Sequence, residues 1–376
     1  MIKVGITGQT GFIGSHLYNW LTTKPDQFEL IEFEKGFFDN IPLLEEFCDK
    51  CQVIVHLAAM NRAPDPQVIY DNNVVLVERL ILACKKSKTS PSILFSSSTQ
   101  ELADNLYGKS KLVGKRLFEN FATNSGISFT SITIPNVFGP FCRPNYNSFV
   151  ATFCDKFIRG EEPKIIMDAE VGLIYVQELV EILAVEIVSC AETSIPRTKS
   201  LNINSTVKIK VSEVFSKLKK YKEWYIERSQ IPSLPSFFDV QLFNTFRSHI
   251  SPENFKRSLV PHADNRGVFV EIIRTDIGGQ SSFSITVPDI TRGNHFHTRK
   301  IERFAVLKGK ALIKLRKVNT NEIFEYYLDG NTPEFVDMPV WFTHNIKNIG
   351  KEELITFFWI NEAYDPADPD TYFETV

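Results

Sequence analysis

Lys3-Val4-Gly5-Ile6-Thr7-Gly8-Gln9-Thr10-Gly11-Phe12-Ile13-Gly14 carries a β-branched run straight into glycines at three-residue spacing, and a helix-period segment, Gly11 to Leu21, follows. Glycine suits such a turn because a Cβ would hold the backbone away from a pyrophosphate, while the helix N-terminus offers unpaired N–H groups and a positive dipole end. Gly8, Gly11, Phe12, Ile13 and Gly14 are therefore candidate dinucleotide-binding residues. A glycine triplet can also be an ordinary βα turn. Its place between the first strand and the first helix favours cofactor binding.

Moving outward, short β-branched runs (Lys3 to Thr7, Val53 to Leu57, Ser92 to Ser96, Phe129 to Ile134) alternate with helix-period segments (Gly11 to Leu21, Asn73 to Lys86, Lys109 to Ser125). Alternation of this kind predicts β-α-β units and a doubly wound, Rossmann-like parallel sheet. Ser229, Pro232, Ser233, Pro235, Ser236 and Pro252 then interrupt any long element. Beyond them strands recur with turns at Gly267, Gly278-Gly279, Gly293-Asn294, Gly309, Asn319, Gly330 and Gly350, which predicts an all-β sandwich or barrel. The expected organisation is an α/β domain over 1–245, a linker over 246–257 and an all-β domain over 258–376.

Composition agrees with two cores: 376 residues at 43% hydrophobic content exceed what one ordinary core needs. The formal charge is −3, and no basic tract is present to neutralise a nucleic-acid backbone, so a small ligand is the expected partner. The N-terminus lacks the pattern of a signal peptide, and no segment reaches the ~18 apolar residues of a membrane span. A cytoplasmic protein without membrane partners is expected. Six cysteines without framework spacing predict reduced thiols. Cys48-Asp49-Lys50-Cys51 falls near a helix end rather than at a helix start, which argues against a redox or metal role.

The G-x-x-G-x-x-G spacing resembles the extended short-chain dehydrogenase/reductase family, and further features of that family follow in order. These are His56-Leu57-Ala58-Ala59, Asn73-Val74 expected at the opening of a helix, Ser96-Ser97-Ser98, and Tyr107-Gly108-Lys109-Ser110-Lys111. The resemblance implies that Leu57 and Ala58 lie beside the cofactor and that Tyr107, Lys111 and a serine are catalytic. The Tyr-Lys chemistry also stands alone, because a phenol with pKa near ~10 exchanges protons poorly at neutral pH unless a fixed positive charge lowers it. Lys111, one turn after Tyr107, is placed to do this and to hold a ribose hydroxyl. Ser98 is the candidate partner of the reacting carbonyl, with Ser97 the competing assignment.

Cofactor choice stays open: Glu34, about 20 residues after Gly14, favours NAD, whereas adjacent Lys35 can take the 2′-phosphate of NADP. A reductive role favours NADPH. Between Ser98 and Tyr107 the segment is shorter than in many extended members of the family. Pro135-Asn136-Val137-Phe138-Gly139-Pro140 resembles their substrate-side segment, although Thr133 stands where arginine is common. Arg143, Asn145 and Asn147 follow as candidate ligands of a nucleotide diphosphate, with a plain polar loop as the alternative.

In the C-terminal part, His295 and His297 stand at i and i+2 on one strand face, with Glu302 on or near the next strand and His344 after Pro339. Three imidazoles and a carboxylate suit a divalent transition metal. The pattern resembles the two cupin motifs, except that Trp341 replaces a glycine, a change expected to reshape the pocket mouth. Upstream, Asp264-Asn265-Arg266-Gly267-Val268-Phe269-Val270-Glu271 resembles cupin-fold nucleotide-sugar epimerases, which implies substrate contacts by Arg266 and Glu271.

One substrate, a 4-keto sugar, explains both halves: the carbonyl acidifies the C3 proton for epimerisation and is then reduced at C4. Epimerisation must come first, because reduction removes the activating carbonyl. The whole chain, including Tyr364-Asp365-Pro366 and Asp370-Thr371-Tyr372-Phe373, resembles bifunctional capsular-polysaccharide enzymes that fuse these two domains. That resemblance implies a UDP-2-acetamido-2,6-dideoxy-4-keto-hexose substrate, an L-talose-type product, zinc and a homodimer. An L-rhamnosamine-type product, or a cupin serving only binding or dimerisation, remains an alternative.

Overall fold

The computed structural model describes residues 1–376 apart from 194, 265, 266, 271, 274, 276, 277 and 363, with backbone alone at 264 and 267–270. Compact packing divides the described chain into two units. One comprises Met1–Phe138, Cys142–Phe149 and Ala169–Lys210, the other Gly139–Phe141, Val150–Asp168 and Val211–Val376.

In the first unit the alternation becomes β1 (Ile2–Thr7), α1 (Phe12–Thr22), β2 (Phe28–Ile31), α2 (Ile41–Lys50), β3 (Val53–His56), α3 (Pro66–Lys86), β4 (Ser92–Ser98), α4 (Leu106–Ser125) and β5 (Phe129–Ile134). There follow β6 (Asn136–Phe138), α5 (Phe149–Ile158, almost wholly in the second unit), β7 (Glu170–Tyr175), α6 (Val176–Ala191), β8 (Thr198–Asn202) and β9 (Val207–Lys210). Six of these strands form a parallel sheet in the order β2-β1-β3-β4-β5-β8, the Rossmann-like, doubly wound arrangement, and β6, β7 and β9 form a separate three-stranded sheet. Helices α2, α3 and α4 bury Phe47, Val77, Leu80 and Phe118 against Ile54, Ile93, Phe95 and Phe129 on one face, while α1 and α6 cover the other. The chain runs from β1 outward to β2 and then crosses to β3 on the other side of β1, so the switch point lies between β1 and β3, and their carboxyl ends form the crevice where ligands of such sheets bind.

Asn73 does not open a helix as expected. α3 starts at Pro66, capped by the Asp65 side chain on the Gln67 N–H, and Asn73 lies two turns inside it. The Asp-Pro pair is a strong start signal that outweighs the polar Asn-Asn pair further along.

The second unit contains α7 (Val211–Tyr221), α8 (Phe237–Arg247) and strands β10 (Lys256–Ser258), β11 (Pro261–Asp264), β12 (Gly267–Val270), β13 (Gln280–Thr286), β14 (Thr291–Phe296), β15 (Glu302–Lys308) and β16 (Lys310–Lys317). It closes with β17 (Ile323–Asp329), β18 (Glu334–Met338), β19 (Phe342–Asn348), β20 (Leu354–Ile360) and β21 (Tyr372–Phe373). Two five-stranded antiparallel sheets result, β10-β18-β15-β20-β13 and β17-β16-β19-β14-β21, the two-sheet layering of a cupin jelly roll. Phe153 and Phe157 of α5 pack on Phe215 of α7 with ring centroids 6.1 and 5.2 Å apart. By compactness helices α5, α7 and α8 group with the strands, with the units meeting in sequence at Lys210–Val211.

Candidate active site and metal centre

The glycine turn has the geometry its spacing demands. Gly8 has φ +78°, and a Cβ there would lie 2.8 Å from the Ala58 nitrogen; at Gly14 it would lie 2.1 Å from the Gly8 carbonyl oxygen. The turn therefore presses β1, the start of α1 and the segment after β3 together. α1 begins at Phe12 with no side-chain cap and no acidic residue in its first turn, leaving Phe12 and Ile13 at a helix end suited to an anion. Leu57 donates its N–H to the Thr7 carbonyl (3.1 Å) and Ala58 to Thr7 Oγ1 (3.4 Å), which puts both beside Gly8. Glu34 and Lys35 are both exposed at the start of a short 3-10 helix, so neither is held in a way that selects a cofactor.

At the end of β4 the three serines diverge. Ser96 donates to the His56 carbonyl (3.1 Å), Ser97 bonds the Glu101 carboxylate, and Ser98 is hydrogen-bonded to the Tyr107 hydroxyl. The short segment after Ser98 folds into a 3-10 helix, Thr99–Leu102, and packs so tightly on α4 that a Cβ at Gly108 would stand 1.9 Å from the Gln100 oxygen. Asn105 caps α4 by accepting from the Gly108 N–H (2.7 Å), which fixes Tyr107 in the first turn.

Lys111 is buried, donates to the Ser96 carbonyl (2.8 Å) and sits 5.8 Å from the Tyr107 ring centroid. The expected lowering of the tyrosine pKa is corrected: burial pushes Tyr107 up to about 12, opposed by its Ser98 bond, while Tyr146 adds to the rise. Burial likewise pushes Lys111 down to about 8, opposed by Glu101. A phenol this hard to ionise stays protonated at neutral pH, so it carries a proton to give although it is a weaker acid than a free tyrosine.

Asn73 exchanges bonds with the Met60 main chain (N–H to Oδ1 2.7 Å, Nδ2 to O 3.0 Å) and donates to Ser110 (3.1 Å), bracing the cofactor-side loop against α4. Sequence reasoning missed Tyr146 and Glu101. Tyr146 accepts from the Asn61 N–H (3.3 Å) and lies close enough to Tyr107 to raise its pKa; its hydroxyl had no fixed spacing to announce it. Arg143, Asn145 and Asn147 are exposed nearby. Arg143 stacks 5.5 Å from the Tyr146 ring, and the Asn145 carbonyl accepts from Arg62 (2.5 Å). Cys48 and Cys51 sit in the core, where burial pushes the Cys51 thiol up and away from the thiolate.

In the second unit His295, His297, Glu302 and His344 each bring a ligand atom within 4.8 Å of all the others. His295 and His344 are register partners on β14 and β19, while Glu302 begins β15 in the opposing sheet. Glu302 Oε2 lies 3.3 Å from His297 Nε2 and 3.0 Å from His344 Nε2. All three of these buried atoms lack a hydrogen-bond partner, whereas His297 Nδ1 and His344 Nδ1 reach the carbonyls of Asp370 (2.5 Å) and Phe342 (3.2 Å). Carbonyl contacts fix the protons on Nδ1 and leave Nε2 lone pairs converging on one point, the arrangement a divalent cation requires. The donor set fits a metal. Burial opposes ionisation of Glu302, but the adjacent His297 and His344 imidazoles outweigh this and hold the carboxyl well below its usual range.

Trp341 departs from expectation. It is buried, stacks on Phe296 (5.4 Å) and donates its N–H to the His297 carbonyl (2.8 Å), so it braces the ligand segment rather than shaping a pocket mouth. Its φ of +62° is the left-handed conformation that the motif's glycine would adopt freely. Arg266 and Glu271 lie outside the described residues.

The fold and these constellations define a dinucleotide-type α/β unit joined to a cupin-type barrel. Residues 4–198 match the NAD dependent epimerase/dehydratase family, to which the chain belongs, and residues 262–372 match the polysaccharide biosynthesis C-terminal domain. The chain is 31% identical over 374 residues, covering 99% of itself and 98% of the relative, to the UDP-2-acetamido-2,6-beta-L-arabino-hexul-4-ose reductase of Pseudomonas aeruginosa. It is similar over its full length and that of the other chain to the crystal structure of the capsular polysaccharide assembling protein CapF from Staphylococcus aureus, with 36% identity and a TM-score of 0.60. It is also 25% identical over 124 residues to the spore coat polysaccharide biosynthesis protein SpsL of Bacillus subtilis, covering 30% of this chain and 82% of that protein.

Proposed function

We propose that the chain is a bifunctional nucleotide-sugar enzyme of surface polysaccharide synthesis. Residues 258–376 epimerise C3 of a UDP-2-acetamido-2,6-dideoxy-4-keto-hexose, and residues 1–245 then reduce C4 to an L-talose-type product. The observation that carries the reductase reading is the Ser98–Tyr107–Lys111 group on the same sheet end as the glycine turn. An L-rhamnosamine-type product differs only in which face of C4 receives hydride. NADPH, with NADH as the alternative, supplies that hydride when bound. Gly8, Gly11, Phe12, Ile13, Gly14, Leu57 and Ala58 hold its pyrophosphate side, and Glu34 or Lys35 meets the adenosine ribose.

Tyr107 then acts as the acid, giving its proton to the C4 oxygen. Ser98 orients that oxygen, and Lys111 stabilises the phenolate that remains. Arg143, Asn145 and Asn147 bind the UDP moiety, as would Arg266 and Glu271 in the barrel. The raised pKa keeps Tyr107 protonated at neutral pH, which is the state from which reduction takes its proton. Lys111 supports the phenolate only while charged, so C4 reduction is expected to decline as pH rises through about 8. A pH–rate profile on saturating NADPH checks this; a rate flat to pH 10, near the ordinary lysine value of about 10.4, contradicts it.

For the barrel, a metal held by His295, His297, Glu302 and His344, zinc by its ligand chemistry, supplies Lewis-acid stabilisation of the oxyanion left when the C3 proton departs. Incubating the enzyme with the keto-sugar in D2O without NADPH is expected to place deuterium at C3, and His295→Ala to stop it. If no deuterium enters and His295→Ala reduces the unepimerised substrate normally, the barrel is only a binding or dimerisation module. A cytoplasmic homodimer completes the reading.

A further inference from the structure

Resting on the metal reading of the barrel, we propose that Asp370 is a positioning residue for the metal centre, clamping the ligand-bearing segment from the C-terminal tail. Its side chain is buried and accepts four hydrogen bonds from three consecutive residues. One carboxylate oxygen takes the Thr298 N–H (3.0 Å) and hydroxyl (2.6 Å); the other takes the N–H groups of Arg299 and Lys300 (each 3.0 Å). Its own carbonyl meets His297 Nδ1 (2.5 Å), and the neighbouring Pro369 carbonyl takes the Lys300 ammonium (3.0 Å). A single residue thus orients one ligand directly and holds the turn between His297 and Glu302.

The tail repeats this hold on either side. Arg299 bonds Glu362 (3.2 Å) and Asp368 (2.8 Å). Strand β21 pairs with β14 so that Phe373 stands opposite His295 and Tyr372 opposite Phe296, and the Glu374 N–H bonds the Asn294 carbonyl (2.9 Å). Three consecutive N–H groups, two of them from buried residues, converge on the carboxylate as on the anion of a nest, and this holds in place the Asp370 carbonyl that meets His297 Nδ1. Partners of this kind fix the tautomer and raise ligand basicity, and their loss costs about 10–100-fold in metal affinity.

The backbone dictates the variant. Asp370 has φ +41°, so Asp370→Gly removes the carboxylate without imposing strain, whereas alanine would confound the two. Metal content of the purified chain and zinc affinity by chelator competition are measured for wild type and Asp370→Gly, with amide hydrogen exchange over 291–300 and 364–376. Wild type is expected to hold one metal per chain, and Asp370→Gly to bind it about 10–100-fold more weakly. Metal removal from wild type is expected to speed exchange in both segments together. Should Asp370→Gly prevent folding, Thr298→Val, which removes one donor, is expected to weaken zinc in the same direction. Wild type without bound metal would sink the metal reading itself; wild-type affinity and unchanged exchange in the variants would overturn the clamp alone.

Discussion

Replacing Tyr107 with Phe is expected to lower C4 reduction by about 10²–10⁴-fold, the range for removing a positioned proton donor, with little change in binding. The substitution deletes one oxygen from a partly buried ring and leaves α4, whose cap at Asn105 does not involve it, in place. Loss should therefore appear in kcat rather than KM. The same variant is expected to continue exchanging the C3 proton in D2O, because the residues assigned to that step are in the barrel. Ser98→Ala should follow Tyr107→Phe more closely than Ser97→Ala does, since Ser98 bonds Tyr107 and Ser97 bonds Glu101. NADPH oxidation on the C3-epimerised keto-sugar measures all three; a Tyr107→Phe rate within a few-fold of wild type removes the acid role.

Both folds were legible because their signals are periodic or positional. β-Branched runs alternating with helical periods specify parallel units, and the glycine turn follows from the steric need at Gly8 and Gly14. Of the four clustered side chains, His295 and His297 were readable for a similar reason, since i, i+2 spacing on a strand puts side chains on one face, while Glu302 and His344 were readable through the motif resemblance. What stayed hidden depends on tertiary burial. Nothing in Tyr-x-x-x-Lys reveals that Lys111 turns to the Ser96 carbonyl, so a pairing that lowers the tyrosine pKa was the natural expectation. Desolvation of both groups reverses that sign. Trp341 fails for another reason: its positive φ and its stack on Phe296 come from residues remote in the motif. The helices of the second unit were obscured because α5 and α7 precede the proline-rich break and α8 follows Pro235 closely, although all three fall in the compact unit of the strands.

Asp337→Ala is expected to destabilise the barrel unit by about 3–5 kcal/mol, the cost of leaving a buried charge without its partner. Asp337 on β18 faces Arg303 on β15 in a forked pair (Nε–Oδ1 2.8 Å, Nη2–Oδ2 3.0 Å), and both side chains are almost fully buried. Tyr225 donates its hydroxyl to the same carboxylate (2.5 Å) and accepts from Arg247 Nε (3.2 Å), so the network joins the helical segment to the sheet. Burial disfavours the Asp337 carboxylate, but Arg303 outweighs it and holds the pKa below the ordinary value. Its contribution is therefore complete above the unfolded-state value of about 3.9 and is lost as pH falls through the lower folded value. Removing the acid strands Arg303 beneath Phe335, whose ring centroid is 3.7 Å away and cannot replace a carboxylate. Replacing both partners together, Arg303→Met with Asp337→Leu, is expected to cost less, because Arg303 is then not left buried without its partner and only Arg247, bonded to Tyr225, loses the attraction of the Asp337 charge. Urea unfolding of the single and double variants separates these terms. Equal losses would mean that packing, rather than the uncompensated guanidinium, sets the cost.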